Sequence, residues 1–349
     1  MPMSDTVLKS KRNRQILADI VRAYVDSGDP VSSLAISRSH AEALSPATIR
    51  SVMGELEDAG MLYQPHTSAG RVPTVLGYRF FAQQAAKQAT LSSADQKWIR
   101  SELAAATTPA EVTERAGHIL AAVSRGLGII VMPPLGHSVL EHVRFVCLPD
   151  GRVVVLLVSP GGATRDKFIR PEHGFTQAEL DRTADHLNRH YSGWTLEAIR
   201  ADLLAKLASE RERYGLLLQA ALELCDPAIL DGNSSREVYM EGAGQFASEP
   251  ELSAGEPLRE LLETIEEKSR LVTLLDRCIE TPEPVHIQIG VKEINAAGEH
   301  LSLITAPYSV RDQGQGSLGV LAPMRMQYER AITAVAYVAQ AFSEVLSRS

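Results

Sequence analysis

A group of short polar side chains and one arginine lies at the start of a predicted helix between Ser45 and Gly60. Ser45 is typical of a helix N-cap, Pro46 of the first helical position, and Gly60 of the residue that closes a helix. One face of the segment is apolar, and the other exposes Ser45, Ala47, Thr48, Arg50 and Ser51. Small or polar side chains beside an arginine suit contact with DNA base edges and phosphates. We therefore predict that this segment is a DNA recognition helix.

A polar, cationic loop follows between two short predicted strands at residues 63–64 and 72–73. Pro65 and Gly70 are residues that favour turns. The His, Thr and Ser side chains between them can donate hydrogen bonds. The arginine after them can bind a phosphate through two parallel hydrogen bonds. We predict a DNA-contacting wing formed by His66, Thr67, Ser68, Gly70 and Arg71. The alternative is a surface hairpin with ordinary polar turn residues.

Two further helices are predicted to position the recognition helix. Apolar residues from Ile16 to Val25 recur with the period of an amphipathic helix, which Gly28, Asp29 and Pro30 then end. Residues 31–40 can form a second, short helix with Leu34 and Ile36 as its buried residues. Three helices and a hairpin in this order predict a winged helix-turn-helix. The alternative is a small helical domain in which Arg50 is merely solvated.

The charge distribution gives weak support to DNA binding. Residues 1–79 contain nine Lys and Arg against eight Asp and Glu, whereas the whole chain has a formal net charge of −8. A near-neutral N-terminal part in an otherwise acidic chain fits local contact with phosphates without general affinity for nucleic acid. Lys9, Lys11, Arg12 and Arg14 form either a phosphate-positioning cluster or a solubilising N-terminus.

Specific strings of sequence lie near both ends of the chain. SPATIR (45–50), GELEDAGMLYQPHTSAGRVPT (54–74) and GYRFF (77–81) precede APYSVRDQGQGSLGVLAPMRMQYERAI (306–332). Together they resemble the heat-inducible transcription repressor family HrcA over nearly the whole chain. Where that family usually has PVGSR, Asn-Glu and Gly-Pro, this chain has residues 30–34 (PVSSL), Ser51-Val52 and Ala322-Pro323. The first two departures imply that operator preference or affinity differs from the family norm.

The resemblance implies an α+β multidomain fold with a winged helix-turn-helix, a GAF-like α/β body and an inserted, largely helical dimerisation domain. We assign residues 1–80 to the DNA-binding domain, 81–107 to a helical linker, 108–170 and 246–349 to the GAF-like domain, and 171–245 to the inserted domain. Periodicity alone predicts only a helical block that interrupts strands. Those strands are predicted at residues 142–148, 152–159, 285–291, 301–308 and 316–321.

Features typical of enzymes are weak. Gly314, Gly316 and Gly319 match GxGxxG but precede a predicted strand, which favours a turn over a nucleotide-binding loop. The sequence contains no Ser/His/Asp set, paired carboxylates or HExxH motif. We therefore expect no enzyme activity, no catalytic residues and no cofactor.

The cysteines and the hydropathy indicate a cytoplasmic protein. Cys147, Cys225 and Cys278 are far apart and lack zinc-binding spacing, so we expect buried free thiols and no metal site. No apolar run approaches the roughly eighteen residues of a membrane-spanning helix, and no signal-like segment is present. We expect no membrane partner.

The resemblance also implies partners and a mode of control. They are double-stranded DNA carrying an inverted-repeat operator of chaperone operons, a second copy in a homodimer, and the GroEL chaperonin, which keeps the repressor active. The alternative is a ligand-sensing GAF-type regulator of other genes, with Tyr308, Arg325 and Tyr328 lining a cleft. Support of the C-terminal helix is the preferred interpretation of those three residues.

Overall fold

The computed structural model describes most of the chain. The described residues are 7–40, 42, 44–66, 69–160, 164–171, 174–209, 215–225, 236–248, 268–279, 281, 283–294, 296–311 and 313–347. Helices and antiparallel strands both contribute substantially, as expected for an α+β protein. None of the helices in these ranges is long and apolar enough to cross a membrane.

The N-terminal unit contains three helices and a two-stranded antiparallel hairpin. They are α1 (Lys11–Ser27), α2 (Ser33–Ser39), α3 (Pro46–Asp58), β1 (Leu62–Tyr63) and β2 (Val72–Pro73). Each helix follows a serine N-cap whose hydroxyl accepts a hydrogen bond from the backbone N–H three residues later. Gly28 closes α1 with a φ of 77°, a left-handed conformation that favours glycine. These local signals account for the predicted order of elements.

Helix α2 is shorter than predicted. Val31 lies outside it and forms a β-bridge with Arg71, with N···O distances of 2.9 and 2.8 Å. Leu34, predicted to be buried, is 49% exposed, whereas Ile36 is buried as predicted. The prediction for Leu34 is wrong because residues two apart, such as Leu34 and Ile36, lie on opposite sides of a helix. Ser33 and Ile36, three residues apart, face the core, and Leu34 is turned away from it.

Eight helices and eight strands are described beyond the hairpin. The helices are α4 (Val75–Gln88), α5 (Ser93–Ala104), α6 (Pro109–Ser124), α7 (Gln177–His190), α8 (Leu196–Ser209), α9 (Gly215–Cys225), α10 (Lys268–Asp276) and α11 (Tyr328–Leu346). The strands are β3 (Leu127–Val131), β4 (His142–Cys147), β5 (Val153–Val158), β6 (Thr164–Ile169), β7 (Val238–Glu241), β8 (His286–Ile289), β9 (Leu301–Val310) and β10 (Gly314–Pro323).

A five-stranded antiparallel sheet forms the centre of the body, in the order β7-β3-β10-β9-β8. Helices α4, α5, α6 and α11 cover one face, and α10 with Phe246 covers the other. Gly314 begins β10, and Gly319 lies inside the strand, where a Cβ would overlap the backbone of Ile304. No described helix follows these glycines directly, which confirms the turn-into-strand interpretation of the GxGxxG match.

A second sheet has its own core. Strands β4, β5 and β6 form a three-stranded antiparallel sheet, and α7, α8 and α9 pack with it around buried residues such as Phe145, Leu187 and Leu203. Strand β7, by contrast, pairs with β3 in the central sheet. The structure therefore groups residues 142–169 with the helical block and β7 with the body, unlike the boundaries drawn at 171 and 245. A hairpin's own periodicity does not indicate which sheet or helices it will join.

The N-terminal unit and the body share one hydrophobic core through α4 and α11. The rings of Tyr78 and Phe81 lie 5.9 and 6.1 Å from that of Tyr328. At the margin, the guanidinium of Arg22 lies 2.7 Å from Glu329, and that of Arg330 lies 2.8 Å from Asp95. The hydrogen bond from Arg330 lowers the pKa of the Asp95 carboxyl.

Residues 81–107, expected to be a helical linker, are largely helical. Helix α5 within this segment buries Ile99 and Leu103 in the shared core. The segment is therefore part of the packed structure of the body.

Tyr328 is buried together with its hydroxyl. The hydroxyl donates to the Met324 carbonyl at 2.8 Å and lies 2.7 Å from the Ser302 hydroxyl. Burial raises the pKa of this phenol, so that it stays neutral and able to donate. The C-terminal helix therefore begins at a side chain whose ring and hydroxyl are both held.

We expect Tyr328→Phe to destabilise the protein by about 1–3 kcal/mol, because it leaves two buried groups without their partner. Tyr337→Phe is the matched control, since the buried hydroxyl of Tyr337 has no hydrogen-bond partner among the described residues. Thermal unfolding followed by circular dichroism should show a lower midpoint for the first variant and an unchanged or higher midpoint for the second. Equal effects of the two variants would contradict the assignment.

Candidate nucleic-acid interface

Helix α3 has one buried and one exposed face. The buried face packs into the N-terminal core through Ile49, Val52, Met53 and Leu56, as predicted. The predicted DNA-contacting residues Ser45, Ala47, Arg50 and Ser51 are exposed, and Thr48 is half-buried. Because residues three and four apart lie on the same side of a helix, the exposed residues form one surface at its N-terminal end.

Both ends of α3 are fixed by local hydrogen bonds. At the start, the Ser45 hydroxyl accepts from the Thr48 N–H at 3.1 Å and lies 2.9 Å from the Thr48 hydroxyl. At the end, Gly60 has a φ of 73°, its N–H donates to Glu57, and the Met61 N–H donates to Leu56. This pattern is a Schellman motif. The exposed surface is therefore carried by a helix with well-defined limits.

Arg50 is the strongest electrostatic feature of this surface. Its side chain is exposed, and no hydrogen bond or ion pair joins it to another described residue. The N-terminal end of a helix also carries a partial positive charge and free backbone N–H groups. Arg50 and the start of α3 together suit an anionic or hydrogen-bonding ligand such as DNA.

Contacts from α1 and α2 hold α3 in place. The Asn13 amide donates to the Glu55 carboxylate at 3.0 Å, which joins α1 to α3. The Ser37 hydroxyl donates to the Leu44 carbonyl at 2.7 Å across the turn between α2 and α3. The buried His40, which caps α2, pairs with Asp19 of α1. These links orient the exposed face of α3 relative to the rest of the unit.

The hairpin after α3 pairs through a β-bridge with Val31, which lies before α2. The Gln64 side chain donates to the Ala69 carbonyl at 2.9 Å inside the loop. A Cβ on Gly70 would overlap the backbone of Val31, so the close approach requires glycine. His66 is exposed on the loop, whereas Thr67 and Ser68 lie outside the described residues. The hairpin is thereby held against Val31, the residue that comes before the cap of α2.

Arg71 is paired within the protein. Its guanidinium lies 2.8 Å from the Glu57 carboxylate in the last turn of α3, and its side chain is only 19% exposed. A phosphate would have to share the guanidinium with this carboxylate or displace the carboxylate from it. Glu57 is not among the residues predicted from the sequence, because no local pattern links the last turn of a helix to an arginine that lies beyond the following loop.

Only part of the basic N-terminal cluster is available to a ligand. Lys9, Lys11 and Arg12 are exposed. Arg14 instead donates to the Leu8 carbonyl at 2.9 Å and so closes the chain onto the start of α1. The cluster can place at most three cations freely near a phosphate backbone.

The residues considered for a ligand cleft in the body support its core. Tyr308 is buried, donates to the Val131 carbonyl at 3.2 Å, and packs edge-on against Phe342 at 4.8 Å. Tyr328 is held as described above, and Arg325 lies against Gly28 of the N-terminal unit. This placement agrees with the preferred interpretation, in which these residues support the C-terminal helix.

The described part of the chain contains no group of three or more His, Cys, Asp or Glu side chains arranged to hold a metal ion. Cys278 is a buried free thiol, as expected, and burial raises its pKa to about 11. Cys147 is also free but only half-buried. The side chain of Cys225 lies outside the described residues.

Comparison with known proteins decides the family. Residues 110–332 match the model of the HrcA protein C-terminal domain. The chain belongs to the HrcA family. It is 34% identical to the heat-inducible transcription repressor HrcA of Geobacter sulfurreducens over 97% of this chain and 98% of the relative. It is 37% identical to the repressor of the same name from Methylococcus capsulatus, over 97% and 96% of the two chains.

Membership in the HrcA family confirms the resemblance stated from the sequence strings. The relatives are named as transcription repressors, and this confirms the expectation that the chain is not an enzyme. A crystal structure of a hypothetical protein at 2.2 Å resolution shares the fold, with a TM-score of 0.63, 22% identity, and coverage of 97% and 99% of the two chains.

Two glycines of the interface give a matched test of the hairpin geometry. Gly70→Ala should destabilise the protein by about 1–3 kcal/mol, because its Cβ meets backbone that cannot yield without breaking the bridge to Val31. Gly54→Ala should instead be neutral or stabilising by up to about 1 kcal/mol, because Gly54 lies within α3 with open space around it. Urea unfolding midpoints measure both. A tolerated Gly70→Ala would show that the hairpin does not depend on this close approach.

Proposed function

We propose that this HrcA-family chain is a repressor of heat-shock chaperone operons that binds an inverted-repeat operator as a homodimer. Its DNA-binding domain is proposed to be a winged helix-turn-helix at residues 1–80. The observation that carries the proposal is the exposed surface at the N-terminal end of α3, with an arginine at its centre and the hairpin beside it.

The recognition step follows from the chemistry of that surface. The major groove of B-DNA is about 12 Å wide and admits one α-helix. With α3 in the groove, Arg50 reaches a guanine edge or a phosphate, and the small side chains of Ala47 and Ser51 allow close approach to the bases. The hairpin, with His66 at its tip, lies on the flanking backbone. Thr67, Ser68, Gly70 and Arg71 remain proposed members of this wing.

A two-fold symmetric dimer matches a two-fold symmetric operator. Two copies of α3 reach the same face of the duplex when the half-site centres are separated by whole helical turns, each about 10–10.5 bp. Ser51 and Val52 replace residues usual in the family and lie on α3 itself. The exposed Ser51 is therefore where the operator preference of this chain is expected to differ.

The body is proposed to be a GAF-like domain that carries an inserted dimerisation domain. Support comes from the two separate sheets and cores, of which the three-stranded sheet with α7, α8 and α9 interrupts the chain between β3 and β7. In the cytoplasm, the GroEL chaperonin is proposed to keep the repressor folded. Binding of a partner to one folding state shifts the folded population by mass action. Unfolded proteins that occupy GroEL in heat shock would then leave the repressor inactive and release transcription.

Arg50→Ala should weaken operator binding by about 1–3 kcal/mol. If Arg50 contacts a base, discrimination between operator and scrambled DNA should fall; if it contacts phosphate, binding to both should weaken equally and the salt dependence should decrease by about one unit. Arg189→Ala is the control, since Arg189 is an exposed arginine on α7, which packs with the three-stranded sheet and not with the N-terminal unit. Titration by fluorescence anisotropy at several salt concentrations measures each quantity. Unchanged binding by Arg50→Ala would remove Arg50 from the interface.

The decisive experiment is a gel shift of the purified chain on an inverted-repeat operator and on a scrambled duplex, with and without GroEL. The proposal expects preference for the operator and an increase in the active fraction with GroEL. Absence of preference in both conditions would overturn the repressor function. Preference that is unaffected by GroEL would overturn only the proposed control.

A further inference from the structure

A cleft of about 990 Å³ lies where the N-terminal unit meets the body. Its walls come from α1, the end of α2, α4, and the first turns of α5 and α11, and we call it the junction cleft. Small-molecule sites have volumes of roughly 300–1,000 Å³ and occur preferentially where domains meet. A molecule bound here would contact the N-terminal unit and the body at the same time.

The carboxylates of the junction cleft already have cationic partners. The guanidinium of Arg22 lies 2.7 Å from Glu329 and 3.1 Å from Asp19, and that of Arg330 lies 2.8 Å from Asp95. These are the three acidic residues among the described residues that line the cleft. A cationic ligand would therefore have to displace an arginine from its carboxylate.

Two cations of the junction cleft lack an acidic partner. Lys11 and Arg14 are among the first four residues of α1, a stretch that contains no acidic residue. Lys11 is exposed and forms no hydrogen bond or ion pair with another described residue, and Arg14 donates only to backbone carbonyls. Because the N-terminal end of a helix carries a partial positive charge of its own, these cations are not balanced by the helix. This end of the cleft suits an anion.

The wall that α4 contributes combines apolar surface with carboxamide groups. Phe80 and Ala85 line the cleft beside Gln84 and Gln88, which are one helical turn apart. Neither carboxamide forms a hydrogen bond with another described residue, and the same holds for Gln15 on α1. A carboxamide offers a donor and an acceptor side by side, which is how glutamine binds the edge of a nucleobase. This wall suits a planar heterocycle.

A buried histidine in the wall of the junction cleft has an unsatisfied ring nitrogen. The side chain of His40 is only 3% exposed, and its Nδ1 pairs with Asp19 of α1. Its Nε2 is buried and has no hydrogen-bond partner among the described residues. A buried polar atom without a partner costs free energy, and a ligand group that reaches it removes that cost.

We infer that the junction cleft binds a nucleoside phosphate, with the phosphate at Lys11 and the base against Phe80 and Gln84. A helix N-terminus with free backbone N–H groups and a lysine is an anion site. Along α1 the cleft extends from Lys11 to Arg22, about 16 Å at the rise of a helix, which accommodates a ligand with an anionic end and a heterocyclic end. The inference goes beyond the proposed function, because it assigns a small ligand to a surface other than that of α3.

A ligand in the junction cleft would join α1 to α4 and α11. It makes its full set of contacts only when the N-terminal unit is packed against the body. Since a ligand that binds the folded chain and not the unfolded chain stabilises the fold by mass action, a saturating nucleotide should raise the midpoint of thermal unfolding.

Isothermal titration calorimetry of the full chain tests the site. The probes are the 5′-monophosphates of adenosine, guanosine, cytidine and uridine, with the four nucleosides and inorganic phosphate as separate arms. We expect saturable binding of at least one nucleotide, about tenfold or more tighter than that of its nucleoside or of inorganic phosphate. No saturable binding of any of the four nucleotides would overturn the inference. Inorganic phosphate that binds as tightly as the nucleotides would indicate an adventitious ion only, and nucleosides that bind as tightly would exclude the phosphate contact; either result would also overturn it.

Two variants test the placement of the ligand. Lys11→Glu should weaken nucleotide binding about tenfold or more, because it replaces a cation beside the phosphate with an anion. An acidic residue in the first turn favours the helix, so a loss of binding would not reflect a loss of fold. Gln84→Leu should weaken the binding of nucleotides and leave that of inorganic phosphate unchanged. Lys97→Glu is the matched control, since Lys97 is exposed on α5 and does not line the cleft. Nucleotide binding that is unchanged in Lys11→Glu or in Gln84→Leu would overturn the assignment.

Discussion

The packing of α4 against α11 is the interaction on which the rest of the structure depends. The rings of Tyr78 and Phe81 contact the ring of Tyr328, whose buried hydroxyl is bonded to Met324 and near Ser302. Exposing these aromatic side chains would cost several kcal/mol. The exposed pairs at the margin, such as Arg22 with Glu329, contribute little stability but define one relative orientation. The N-terminal unit is therefore part of the core of the body.

This shared core connects the proposed DNA contact to the proposed control. Because the N-terminal unit shares a core with the body, it loses its fixed position when α11 loses its packing. The pairs between Asn13 and Glu55 and between Arg71 and Glu57 continue the connection from α1 and the hairpin to α3. Partial unfolding of the body would therefore disturb the orientation of α3, which is how the proposed folding aid would act on transcription.

Local signals in the sequence were sufficient for much of the candidate interface. Ser45, Pro46 and Gly60 define the limits of α3 because caps depend on residues next to one another in the chain. The exposed positions of Ala47, Arg50 and Ser51 followed from helical period alone. The prediction that Leu34 is buried together with Ile36 was wrong because residues two apart lie on opposite sides of a helix. The Arg71–Glu57 pair could not be predicted, since it joins the end of a helix to a strand that returns after a turn.

By itself, the sequence determined the family, the limits of α3, and the residues that α3 exposes, because each of these depends on neighbouring residues or on specific strings. Only the tertiary structure decided that Arg71 pairs with Glu57. It also decided that β4, β5 and β6 form a sheet separate from the five-stranded sheet of the body. Helix packing further placed Lys11, Phe80 and Gln84 in the wall of one cleft. The physical reason is that strand pairing and ion pairing join residues distant along the chain, and hydrophobic period carries no information about which strand or charge will be the neighbour.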